Sequence, residues 1–351
     1  MAHGTKRDER AGGGGGLGWA VAGLAVVAVG LSVVVVRQFV AGGGGGSGGG
    51  AGAGAGGGAV VSDAEARMLA EAALAASGEA MKNGRPEQAE TLLRNAVGQR
   101  PGDQSLRLAL AEALTAQRKH SEAFAEMREA MRIGPLAAQM HLDAGTLASQ
   151  AGLAADAVAQ YQAGQALAPQ DARFPLYLGM ALIRAGERSQ ATAALVRAVT
   201  LNPELAEAWG TLGELALAED SLGLAKQHLD KARALQPESF KWRLAAARLA
   251  VRENNGQAAV DLLLGSPDEQ LLAGPTLRVL GQAYGLLGQP AQAAALFTRA
   301  ADRAGVDGQL RFEAAQWWER AGEAGKAREQ AELAAKLGHA AAKDMLGRAG
   351  R

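Results

Sequence analysis

The chain has 351 residues, with 36 basic and 36 acidic side chains and no cysteine. Because the formal charge is zero, the sequence lacks the basic excess that is typical of nucleic-acid-binding proteins. The absence of cysteine excludes disulfides, thiolate metal sites and a lipid-modified N-terminal cysteine.

A short polar tail, residues 1–16, precedes a long apolar segment. Residues 17–36 carry no charge, and 20 helical residues at about 1.5 Å each match a bilayer core of roughly 30 Å. Arg37 follows directly, and the run is longer than the apolar region of most cleaved signal peptides. We predict an uncleaved transmembrane signal anchor over residues 17–39, with a cleaved signal peptide and a buried soluble helix as the alternatives.

The charges beside this span predict its orientation. Lys6, Arg7 and Arg10 precede it, whereas Arg37 is the sole basic residue in the 20 residues that follow. Since basic flanks stay on the cytoplasmic side, we expect a single pass through the inner, cytoplasmic membrane with the remaining chain outside the cytoplasm. The opposite orientation is the alternative. Residues 40–60 are predicted to form a flexible glycine-rich linker, whose residues 41–58 would span about 23 Å root-mean-square.

From residue 70 onwards the sequence repeats with a constant 34-residue period. Five of the ten prolines keep this spacing: Pro101, Pro135, Pro169, Pro203 and Pro237. We number each repeat from these first positions: Ala70, Gln104, Ala138, Ala172, Ala206, Phe240, Gly274 and Gly308.

Small residues recur at three positions of every repeat. Position 20 is alanine in all eight repeats, positions 8 and 27 are Ala, Gly or Ser, and position 24 is bulky in seven repeats. Two helices approach closely only where neither carries a large side chain, so this pattern predicts a tightly packed helix pair in each repeat. Position 15 holds residues that tolerate a left-handed backbone and end a helix: Gly84, Gly152, Gly186, Asp220, Asn254, Gly288 and Gly322.

The clearest repeat, residues 206–237, reads W-x2-L-G…A-x3-L…P and resembles the tetratricopeptide repeat. The resemblance covers roughly residues 70–341. It implies an all-α fold, a right-handed superhelical solenoid of about eight helix-turn-helix units, over residues 61–341. Ser62 and Glu65 have the spacing of a capping box at its start. Residues 340–347 read as a short helix, and residues 342–351 are predicted to form a C-terminal capping tail.

No segment outside the repeats is long enough for a catalytic domain, so we expect no enzymatic activity. The five histidines lie at unrelated repeat positions and show no metal-ligand spacing. We therefore predict no catalytic residue, cofactor or metal.

The family resemblance also implies a binding site, because positions 2, 5, 9, 12 and 13 of tetratricopeptide repeats commonly face a ligand in a concave groove. In this chain those positions give an apolar trough with a mostly basic rim, which suits a protein segment carrying some acidic residues. Two alternatives stay open: the leucines pack helix against helix, and the arginines are solvated surface charges. The predicted groove residues are Leu142, Arg173, Leu176, Met180, Ile183, Arg184, Leu217, Lys241, Leu244, Arg248, Val251 and Arg252.

Together these features predict a membrane-anchored scaffold or adapter that binds a protein or peptide partner. The alanine- and glycine-rich composition and the signal-anchor layout are typical of bacterial proteins, and by analogy suggest envelope assembly or secretion. The alternatives are a cytoplasm-facing adapter and a structural protein that self-assembles into homo-oligomers.

Overall fold

A computed structural model describes residues 62–349, and all regular secondary structure in this range is helical, in eighteen helices. The all-α prediction is confirmed for these residues. The predicted tail, membrane anchor and linker, residues 1–60, lie outside them. Among the helices described, none is long and apolar enough to cross a membrane.

The described residues divide into two compact units between Leu136 and Ala137. The first unit contains four helices: α1 Asp63–Lys82, α2 Pro86–Gln99, α3 Gln104–Ala116 and α4 His120–Ile133. The predicted capping box is confirmed at the start of α1, where the Ser62 hydroxyl accepts from the Glu65 backbone and the Glu65 carboxylate accepts from the Ser62 N–H.

The second unit contains the other fourteen helices. They are α5 Ala138–Gln150, α6 Ala154–Leu167, α7 Arg173–Arg184, α8 Arg188–Leu201, α9 Ala206–Ala218, α10 Leu222–Leu235, α11 Phe240–Arg252, α12 Gly256–Leu263, α13 Asp268–Leu271, α14 Gly274–Leu286, α15 Pro290–Ala304, α16 Gly308–Arg320, α17 Ala324–Lys336 and α18 Ala340–Ala349. Within this unit each first helix packs against the second helix of its own repeat, and each second helix also packs against the first helix of the next repeat or, at the end, against α18.

The predicted 34-residue register matches the helix starts. Six first helices begin at repeat position 1, and α7 begins one residue later. Every residue predicted at position 15 adopts a positive φ, and so does Arg118, which occupies this position in the second repeat with φ 60°. The left-handed turn is therefore a property of the position, since it is kept even where an arginine must adopt it.

The small residues pack as predicted. The position 20 alanines are 0–4% exposed in all eight repeats. A Cβ on Gly213 at position 8 would lie 2.6 Å from Cγ of Leu229 at position 24, and one on Gly145 would lie 2.5 Å from the Tyr161 ring. Position 8 is small because the bulky side chain of position 24 occupies the adjoining space.

The sixth repeat departs from the pattern. Its second helix, α12, has 8 residues, compared with 14 in α10. The helix ends at Leu263, Gly265 follows with φ 88°, and the one-turn helix α13 leads to α14. At the C-terminus, α18 begins at Ala340, where the predicted short helix starts, packs against α17 and buries Ala342.

Candidate partner-binding groove

The predicted groove residues all belong to the second unit and lie on its first helices α5, α7, α9 and α11. Leu142 and Leu176 are only 6% and 7% exposed, so they pack between helices and offer little surface to a ligand. The other predicted apolar residues are partly exposed along these helices: Met180, Ile183, Leu217, Leu244 and Val251. They provide the accessible apolar surface of the candidate groove.

Two of the five predicted cations make close ion pairs with carboxylates from the preceding repeat. Lys241 Nζ lies 2.5 Å from Glu207 Oε1 and also 4.3 Å from the ring centroid of Trp242. Arg252 Nη2 lies 2.5 Å from Asp220 Oδ1. The first pair joins α11 to α9, and the second joins the end of α11 to the turn that follows α9.

Arg173 and Arg184 lie on α7. Arg173 donates to Asp171 at 2.7 Å and to Gln139 Oε1 at 3.3 Å. The Arg173 guanidinium, by hydrogen bonding, holds the pKa of the Asp171 carboxyl below its ordinary value. Arg184 instead donates to the Ser149 hydroxyl, which is neutral. Arg184 therefore keeps an uncompensated positive charge.

The fifth cation, Arg248, has the loosest carboxylate contact. Its Nη1 lies 3.7 Å from Glu214 Oε1, beyond hydrogen-bond distance. Four of the five predicted cations thus have a carboxylate partner within the protein, and the predicted basic rim is mostly neutralised.

A pocket of about 440 Å³ opens between α9, α11 and α14. It includes four residues that the sequence predicted: Leu217, Arg248, Val251 and Arg252. The sequence-based set stopped at the sixth repeat, and so it missed the wall that α14 contributes. That wall consists of Pro275, Arg278, Val279 and Gln282.

Repeat position 6 also supplies residues to the candidate groove. It is not among the positions 2, 5, 9, 12 and 13 that the family resemblance indicated. Ala245 and Val279 line the pocket from this position. In the fourth repeat the same position holds Tyr177, which is 37% exposed and stacks on Tyr161 with ring centroids 5.8 Å apart. The sequence signal that could have identified this position is a tyrosine directly after position 5, since Tyr is enriched at protein interfaces.

The histidines of residues 62–349 do not converge. His141 bonds to Gln160, the His228 ring lies tilted against Trp209, and His339 stacks against Phe312. Nowhere in this range do three or more His, Cys, Asp or Glu side chains form a group that could bind a metal ion. The arrangement of the groove is suited to binding through apolar contact and charge.

Comparison with known proteins gives one family match. The tetratricopeptide repeat model matches residues 80–142, and a search of the curated proteins found no match. This match supports the assignment that the 34-residue register predicted.

Solved structures with a similar fold share little sequence with this chain. The Cut9–Hcn1 hetero-tetramer of the APC/C matches with a TM-score of 0.50 and 16% identity, over 82% of this chain and 58% of that chain. YrrB, described as a TPR protein with an unusual peptide-binding site, has a TM-score of 0.46 and 18% identity over 54% of this chain and 97% of its own. PilF of Pseudomonas aeruginosa has a TM-score of 0.46 and 19% identity over 59% of this chain and 91% of its own. These likenesses concern the fold alone. The chain is a helical-repeat protein with tetratricopeptide repeat sequence in residues 80–142.

Proposed function

We propose that this protein is a scaffold that binds a segment of a partner protein in the groove formed by α5, α7, α9, α11 and α14. The observation that carries the proposal is the pocket between α9, α11 and α14, where half-buried Leu217 and Val251 meet the charged edge of the groove. Burial of such apolar surface contributes about 25 cal/mol per Å², and the neighbouring charges would set the register of the bound segment.

The paired charges favour a protein partner over a nucleic acid. Lys241 and Arg252 each contact a carboxylate at 2.5 Å, so they are not free to neutralise a phosphate backbone. Tyr177 and Met180 add an aromatic ring and a flexible thioether to the same helix; Tyr is enriched at protein interfaces, and Met adapts to varied surfaces.

A photo-crosslinking amino acid placed at position 180 of the full chain in cells tests this proposal. We expect one discrete crosslinked protein, and we expect Leu217→Glu to abolish it. The matched control places the crosslinker at position 224, since Leu224 is 54% exposed on the second helix α10. Equal capture from both positions, or capture unaffected by Leu217→Glu, would refute the groove. Capture of a second copy of the chain alone would favour the self-assembling structural protein.

We also propose that residues 17–39 anchor the protein in the inner membrane with the repeats outside the cytoplasm. The support is the uncharged run of 20 residues and the excess of basic residues before it. By analogy, this layout suits envelope assembly or secretion. Alkaline phosphatase fused after residue 351 should be active if the repeats are exported and inactive if the protein faces the cytoplasm.

A further inference from the structure

The cations of the groove differ in how much of their charge is already compensated. Arg252 contacts Asp220, and Arg248 has a loose contact with Glu214. Arg278 is exposed on α14, and no carboxylate within residues 62–349 pairs with it. Within the described residues, Arg278 is therefore the pocket arginine without a carboxylate partner, and Arg184 on α7, which also lacks one, does not line the pocket.

The charges in and beside this pocket leave a positive excess. Three arginines contribute three positive charges, and Glu214 and Asp220 contribute two negative charges, so one positive charge remains. The Arg248 guanidinium donates no hydrogen bond to Glu214 at 3.7 Å, so its N–H groups stay available as well.

The remaining walls of the pocket are mostly apolar. Leu217 and Val251 are partly exposed, and Val279 on α14 lies beside Arg278 in the chain. A guanidinium group matches a carboxylate geometrically, because its planar N–H groups can donate two parallel hydrogen bonds. The pocket thus combines an acid-binding group with an aliphatic surface.

We infer that this pocket accepts an acidic side chain, Asp or Glu, that lies next to an aliphatic residue in the bound partner segment. Arg278 binds the carboxylate, Arg248 assists, and the aliphatic side chain rests on Leu217 and Val251. The inference rests on the proposed function and assigns the sequence preference of its groove. It places the acid-selective contact at Arg278, because the other two arginines of the pocket, Arg248 and Arg252, already lie near carboxylates.

The test is selection of a phage-displayed random-peptide library on the full-length protein. We expect enrichment of sequences with Asp or Glu beside Leu, Ile or Val. The enriched sequence is then synthesised with its acid and, separately, with the matching amide. We expect the amide version to bind about fivefold more weakly.

The variants localise this preference. In Arg278→Glu the acidic peptide should lose about fivefold in affinity, while the amide peptide should bind as it does to the unaltered protein. Arg278→Lys should retain a preference for the acid. Arg188→Glu is the matched control, because Arg188 is also exposed, lies on the second helix α8, and has no carboxylate partner in the described part of the chain.

Three outcomes would overturn the inference: no enrichment of acidic sequences, unchanged acid preference in Arg278→Glu, or an equal loss in Arg188→Glu. Crosslinking from position 180 separates this failure from failure of the proposed function. If position 180 still crosslinks a partner but the selected peptides show no acid preference, only the role of Arg278 is refuted. If position 180 crosslinks no partner, the groove itself is refuted.

Discussion

The fifth and sixth repeats share most of their packing and differ at the end of the second helix. In both, the position 20 alanine and the position 24 leucine are fully buried: Ala225 and Leu229 in the fifth, Ala259 and Leu263 in the sixth. They diverge at position 27, where α10 carries fully buried Ala232. The sixth repeat instead carries Ser266, which lies beyond the end of α12.

The difference indicates which part of a repeat is needed for the next repeat to begin at the same position. Although α12 has only 8 residues and α10 has 14, the first helix that follows each of them begins at position 1 of its repeat. Contacts at positions 8, 20 and 24 are therefore sufficient to fix the helix pair. The last turn of the second helix can be replaced by Gly265 in a left-handed conformation and by the short helix α13.

The largest effect is expected where the fifth repeat is most tightly packed. Leu229→Ala should lower the free energy of unfolding by about 2–5 kcal/mol, because it opens a cavity against Gly213. Leu263→Ala should cost less, because Leu263 is the last residue of α12 and the following loop can collapse into the space. Urea unfolding of the full chain compares the two variants. An equal or greater cost for Leu263→Ala would contradict the comparison.

A smaller effect is expected from exchanging the side chains at position 27. The Ser266 hydroxyl is buried and has no hydrogen-bond partner in the described structure, so Ser266→Ala should stabilise the protein by about 1 kcal/mol. The reverse exchange, Ala232→Ser, should destabilise the fifth repeat by roughly 1–3 kcal/mol.

Urea midpoints measure both changes at position 27, with the exposed substitution Ser189→Ala on α8 as the control for a hydroxyl lost at the surface. If Ser266→Ala destabilises the protein, the hydroxyl makes a stabilising contact and is not the reason why the sixth repeat differs.

The repeat register made much of the fold predictable. The helix starts, the left-handed turns and the buried small residues all follow from side-chain size at fixed positions, and the periodicity records that size directly. The end of α12 was harder to predict. Serine satisfies the size requirement at position 27, but whether its hydroxyl finds a partner depends on packing that the sequence does not record.

The groove was less predictable than the fold. The family positions identified Leu217 and Val251, which line the pocket, but also Leu142 and Leu176, which are buried. The sequence did contain a signal that the basic residues of the rim would be paired. Glu207 and Lys241 occupy position 2 of successive repeats, and Glu214 and Arg248 occupy position 9 of the same two repeats. Opposite charges at the same position of successive repeats predict ion pairs between adjacent first helices.

The smallest expected effect is a difference between the two repeats in how position 23 makes the stability of the protein depend on pH. Position 23 is His228 in the fifth repeat and Leu262 in the sixth. Burial lowers the pKa of His228 below its ordinary value, so folding favours the neutral ring. The stabilising contribution of the neutral ring is present above the unfolded pKa of about 6.5 and is lost as the pH falls from there to the lowered folded value.

His228→Leu should remove this part of the acid sensitivity and flatten the stability profile below about pH 6.5. Urea midpoints of the full chain at several pH values measure the slope, and Gln227→Leu controls for added apolar surface without loss of a titrating group. An unchanged slope in His228→Leu would mean that the ring gains a proton equally well in the folded and unfolded chains. The half-buried position of His228 beside Trp209 would then not disfavour the charged ring, and the fifth and sixth repeats would respond alike to acid at this position.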